Sequence, residues 1–158
     1  MNFRISSRTA SLALRLLLGG LFVYAGILKI SHPYDFAMTI NQYGLVTWRM
    51  ATALSSIIPS IEIISGLGLI LNIRGALALV VAQLLGFMVI LLYALSIGLD
   101  ADCGCFGTPS HPDAEPTGPI EALIRDALMV LGCVILYWHR RTGTHVPKPL
   151  SKLLSRQV

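Results

Sequence analysis

The sequence predicts an all-α, polytopic membrane protein, a four-helix bundle with both termini in the cytoplasm. Three observations lead there. Hydrophobic residues make up 54% of the 158 residues and charged residues 13%, against about 45–50% and about 25% in soluble domains; mean hydropathy is +0.71. The apolar residues gather in four segments, each near the roughly 20 residues that a bilayer span needs. The basic residues are spread unevenly over the connecting segments. This composition excludes a disordered chain, a nucleic-acid-binding arm and an ordinary soluble enzyme. Four spans also leave no room for a separate soluble domain, so residues 1–138 read as one membrane domain and 139–158 as a basic cytoplasmic tail.

The first span is read at 12–30. A cleaved signal peptide with Arg4 and Arg8 as its basic start is the alternative, but no clear small-x-small site is followed by a soluble mature chain and the apolar run is long. The second span is read at 51–71, with Pro59 as a kink. The third, 76–99, is the cleanest, because nothing charged lies between Arg74 and Asp100. The fourth, 120–138, has charges only in its first two turns. Between the first two spans, Phe36, Ile40 and Tyr43 fall at i, i+4, i+7, the spacing of a short helix lying in the membrane interface. Tyr34, Tyr43 and Trp48 suit a headgroup belt.

Basic residues in short loops set orientation. Arg4, Arg8, Arg15, Arg74, Arg140, Arg141, Lys148, Lys152 and Arg156 fall on one side, with no acidic residue among them. Asp35, Asp100, Asp102, Asp113, Glu115, Glu121 and Asp126 fall on the other. The basic side is therefore the cytoplasmic one. The loop after the third span then faces outward from the inner membrane, and its four prolines between 109 and 119 make it irregular.

That loop opens with Asp102-Cys103-Gly104-Cys105. On an oxidising face thiols tend toward disulfides. A Cys-Gly-Cys ring is too small for a relaxed disulfide torsion, even with glycine at its centre. Strained, exposed disulfides are the reducible ones, so Cys103 and Cys105 read as candidate catalytic thiols for exchange. Metal binding is the rival reading. Two thiolates suit copper(I) or zinc, but a closed site wants four ligands and only His111 is near, so no metal site is assigned. Cys133, about 20 Å along the fourth helix, reads as a small buried hydrophobe, with a relay cysteine as the alternative.

Glu62 sits near the middle of the second span, where a carboxylate is costly and a functional candidate by default. Arg15, Gly19, Phe22, Gly26 and Lys29 share roughly one face of the first span, and the glycines allow close approach of a partner helix. Glu62, Ser65 and Gly66 share a face of the second, Gln83 is polar in the third, and Arg125 and Asp126 open the fourth. Two readings of this polar seam stand side by side: packing and helix registration, or a quinone pocket or proton path in which Glu62 and Arg125 take part.

These residues resemble the MauE/DoxX family of small redox-associated membrane proteins, and the MauE branch most. The likeness runs through RLLLGGLFVYAGILKI (15–30), HPYDF (32–36), QYGL (42–45), PSIEIISGLGL (59–69), DCGCFG (102–107) and the Arg125-Asp126 pair. It implies a four-helix bundle in the cytoplasmic membrane. It also implies work beside a thioredoxin-like or TlpA-like extracytoplasmic partner, in the MauE branch the maturation of the disulfide-rich small subunit of methylamine dehydrogenase. DoxX-type relatives imply quinone-coupled oxidation. The likeness carries a redox context and no substrate. The leading expectation is a membrane thiol–disulfide oxidoreductase using Cys103 and Cys105. A non-enzymatic assembly or scaffold subunit and a thiolate metal-handling protein are the alternatives.

Overall fold

The structure, a computed structural model, describes residues 3–98 and 118–142. They form five helices: α1 (Phe3–Ser31), α2 (Pro33–Gln42), α3 (Trp48–Ile70), α4 (Ala76–Ser96) and α5 (Pro119–Thr142). There is no strand among the described residues.

Each element begins and ends for local reasons. Pro33 occupies the first turn of α2, where a missing N–H costs nothing. Gly44, at φ 68°, turns the chain out of α2, its N–H donating to Asn41 O at 3.0 Å. α3 runs unbroken through Pro59. It ends where Asn72 adopts φ 57° and the Ile73 N–H donates back to Gly68 O at 2.8 Å. Asparagine is one of the few side chains that tolerates this left-handed conformation. Gly75 at φ 94° then opens α4. So short a connection forces α3 and α4 to lie antiparallel and side by side.

The helices that pack closely are α1 with α3, α3 with α4, α4 with α5, and α5 with α1. The four long helices thus close a ring, with α1 opposite α4 and α3 opposite α5. The tightest contact is α1 on α3. A Cβ on Gly19 would stand 2.7 Å from Gly66 O, and one on Gly66 would stand 2.7 Å from Gly19 O. Here backbone lies on backbone, as glycines permit in membrane helices. The ring encloses Leu18, Phe22, Leu69, Val80, Leu84 and Leu136.

The outward faces are as apolar as the core. Leu17, Ile64, Val89 and Leu128 are each more than 60% exposed. Residues 9–31, 48–70 and 76–96 are long and apolar enough to cross a membrane. α5 is charged near both ends, yet Ile120, Ile124, Leu128, Leu131, Ile135 and Trp138 are all exposed, at the three- and four-residue steps of one helix face.

Several boundaries differ from those read in the sequence. α3 begins at Trp48 rather than 51 and stops at Ile70, because the interfacial tryptophan already belongs to the helix. α4 ends at Ser96, short of 99, where Gly98 turns to φ 66°. α5 continues to Thr142, into the segment assigned to the tail. α2 forms at the expected place and packs on α3 and α1. Of the three expected belt aromatics, Tyr34 and Trp48 point outward and meet edge to face at 5.7 Å. Tyr43 is buried instead, since it continues the inner face that α2 starts with Phe36.

Candidate functional site

Gly26 positions the site. A Cβ there would stand 2.9 Å from Pro59 O and 3.3 Å from the Glu62 side chain, so its absence brings α1 against this turn of α3. Lys29, one turn further along α1, then reaches Glu62: Lys29 Nζ donates to Glu62 Oε1 at 2.5 Å. Both side chains are withdrawn from the surface, 4% and 3% exposed. The ammonium also stands 4.9 Å from the centre of the Phe87 ring of α4 and 5.3 Å from that of Phe36 of α2. Ring faces attract a desolvated cation. Four elements therefore converge on one lysine.

A second charge pair lies across the ring. Arg125 Nη2 is 3.3 Å from Asp126 Oδ1, and the aspartate is buried. The two pairs line one small cavity of about 30 Å³, floored by Phe22, Leu84 and Met129. Glu62 Oε2 and Asp126 Oδ2 are buried there without a hydrogen-bond partner among the described residues. The cavity is large enough for a water molecule. A larger apolar cavity of about 130 Å³ lies on the other side of Lys29, among Phe36, Tyr43, Leu54, Phe87 and Leu91. Lys29 and Phe87 line both, so one ammonium faces an apolar chamber and a polar one. One helical turn away, Ser65 Oγ donates to Gln83 Oε1 at 2.7 Å, tying α3 to α4.

Of the site residues expected from sequence, Glu62 and Arg125 line the same cavity. They are not each other's partner: Glu62 pairs with Lys29 and Arg125 with Asp126. Lys29 and Asp126 were legible only as members of a polar seam. The sequence signal for Lys29 was its place three residues after Gly26, on the face that meets α3. Cys103 and Cys105 lie outside the described residues. Their flanks do not: Leu91 near the end of α4 packs with Ala122 near the start of α5, at the same end of the ring as the charge pairs. Cys133 is buried in the core with Leu18 and Leu136, about 21 Å along α5 from Pro119 by helical rise. No cluster of metal-ligating side chains occurs among the described residues.

At the opposite end, Arg140 Nη2 donates to Asn72 Oδ1 at 2.8 Å. That bond brings the α3–α4 turn, with Arg74, to the end of α5. Arg15 of α1 is near enough to repel Arg140. Of the basic residues grouped from sequence, Arg15, Arg74, Arg140 and Arg141 are thus gathered at one end.

Apolar helices with apolar outer faces around buried, mutually neutralised charges define a multispan membrane protein. Residues 7–139 match the family model described as methylamine utilisation protein MauE, and the chain belongs to the MauE family. That family links it to methylamine utilisation. No curated protein and no solved structure matches it.

Proposed function

We propose that the protein is a four-span protein of the cytoplasmic membrane that exchanges thiols and disulfides with an extracytoplasmic thioredoxin-like or TlpA-like protein. The reaction supports disulfide formation in an exported protein, as in maturation of a methylamine dehydrogenase. The observation that carries the reading is the tethering of the DCGCFG segment. The helices on either side of it pack together through Leu91 and Ala122, one turn from Phe87 and Arg125, which line the cavity of the two charge pairs. Cys103 is five residue steps beyond Gly98, a reach of at most about 18 Å. The exposed apolar stripe of α5 supports a fourth crossing. The grouping of Arg15, Arg74, Arg140 and Arg141 supports a cytoplasmic position for that end.

In the exchange, a thiolate of one partner attacks the disulfide of the other. A mixed disulfide forms and one thiolate leaves. The second thiolate of the attacking pair then attacks the first sulfur of its own pair, closing that pair's disulfide and displacing the partner's remaining thiolate, so the partner leaves reduced. A dithiol that becomes a disulfide without such a partner yields two electrons and two protons, which a quinone accepts when bound. The apolar chamber beside Lys29 would hold the ring of such a group, with the polar one supplying proton acceptors. Phe36 and Phe87 wall the apolar one, Lys29 offers a hydrogen-bond donor, and Glu62 and Asp126 each have an oxygen free to take a proton.

The test is the redox state of Cys103 and Cys105 in native membranes, read by alkylation before and after reduction and by mass spectrometry. Single Cys→Ser variants are screened for trapped mixed disulfides. A reducible disulfide and a trapped thioredoxin-like protein are expected. A pair that stays dithiol and traps nothing overturns the reading. Stoichiometric copper or zinc lost in Cys105→Ser would instead establish metal handling. A phenotype retained by the cysteine variants but lost on packing substitution at Gly19 or Gly66 would establish an assembly role.

A further inference from the structure

The basic end holds an unbalanced charge. None of the eight acidic residues falls in 1–34, 63–99 or 127–158, so the arginines gathered there have no side-chain carboxylate to meet. Arg140 shows the consequence. One of its nitrogens donates to Asn72 Oδ1, while its Nε is buried with no acceptor among the described residues. An unsatisfied buried donor is unfavourable, the more so on a cation.

Beside Arg140 and Arg141 runs a groove of about 630 Å³ between α4 and α5. It exists because α4 presents Gly75, Ala78 and Ala82 along this face, opposite Val134 and Tyr137 of α5. The Arg141 guanidinium sits 5.2 Å from the Tyr137 ring at its mouth. A narrow apolar channel capped by two arginines asks for a molecule with an anionic head and a hydrocarbon chain.

We infer that this groove binds an anionic phospholipid, with its phosphate on Arg140 and Arg141 and one acyl chain along Ala78 and Ala82. Basic pockets between membrane helices recognise such headgroups, and guanidinium matches phosphate geometry. Charge separates this occupant from the others. Residues 143–158 bring Lys148, Lys152 and Arg156 and no acidic side chain. A second copy side by side in the bilayer brings its own arginines to the same level. A soluble anion leaves the apolar channel unfilled. The inference rests on the bundle alone and is independent of the thiol chemistry.

The experiment uses the full chain in nanodiscs with phosphatidylglycerol or phosphatidylcholine carrying a photoreactive group in the acyl chain. Phosphatidylglycerol is expected to label peptides containing residues 77–85 and 133–137, and phosphatidylcholine to label them far less. The double variant Arg140→Gln, Arg141→Gln should lower phosphatidylglycerol labelling about tenfold. Ala82→Leu keeps both arginines and fills the channel, so it should lower labelling in a bundle of unchanged helix content. Equal labelling by the two lipids, labelling indifferent to both substitutions, or full displacement by inorganic phosphate would each overturn the inference. A rise in labelling on truncation after Thr142 would show that the chain's own tail fills the groove, and would overturn it too.

Discussion

Lys29 and Arg140 are cations at opposite ends of the same ring, and they are held in opposite ways. Lys29 is 5% exposed, with a carboxylate in contact and two aromatic faces about it. Arg140 is half-buried, with one amide oxygen as partner and another cation nearby. The loop end is neutralised from within, each buried carboxylate having its own base. The basic end leaves its charge to be met from outside. The difference suits the first end to chemistry that needs a dry, preorganised charge, and the second to the lipid recognition proposed above.

Breaking the internal neutralisation should have the largest effect. Lys29→Met strands Glu62 as an unpaired buried charge, and removing one partner of a buried pair costs about 3–5 kcal/mol. Thermal unfolding in detergent should show the loss. The double variant Lys29→Met, Glu62→Met should recover most of it, because matched apolar replacement of a buried pair is close to neutral. If the double variant is as unstable as the single one, the pair is not what the charge is for.

The next effect concerns the contact that brings the pair together. Gly66→Ala puts a methyl group 2.7 Å from Gly19 O, a clash with backbone that cannot swing away. Overpacking of this kind costs roughly 1–3 kcal/mol. The same substitution at Gly86, where a Cβ meets nothing within 4 Å, should leave stability unchanged or slightly raised by helix propensity. Comparing the two variants in one unfolding series checks the assignment.

At the basic end the effects should be comparable or smaller and should depend on lipid. Asn72→Ala removes the acceptor for Arg140 and puts alanine at positive φ, a loss of about 1–3 kcal/mol. Asn72→Gly relieves the backbone cost and keeps only the hydrogen-bond loss, so the two variants separate strain from bonding. Smallest is Tyr34→Ala, which removes an exposed edge-to-face contact with Trp48 worth about 0.5–1.5 kcal/mol.

Much of this was legible in the sequence where periodicity and composition carry the signal. The uncharged run after Arg74 gave α4, and the spacing of Phe36, Ile40 and Tyr43 gave α2. The glycines at 19, 26 and 66 pointed to close helix contact, and they make it. Pairing of charges was not legible. Glu62 shared the polar seam with Arg15, Lys29 and Arg125, and only the rotation of α1 about its axis, set by Gly26 against Pro59, selects Lys29. Arg125 turned to its own neighbour, a contact that sequence spacing on a helix does not favour. The inward turn of Tyr43 depends on how α2 lies on α3. The end of α5 was hidden by the charge of Arg140 and Arg141, since a composition window reads the end of an apolar stretch and a helix ends where its hydrogen bonds do.

The Lys29–Glu62 contact also bears on how the chain enters the bilayer. Its partners are 33 residues apart and lie on helices joined only through α2. They can meet before α4 and α5 have been synthesised. An acidic residue at the centre of a lone inserting helix is disfavoured by about 2.5–3.5 kcal/mol. A hairpin of α1 and α3, closed glycine to glycine, delivers Glu62 already salted. Asp126 arrives last and has a base in the adjacent position. Neither carboxylate has to wait in lipid for a counter-charge made later.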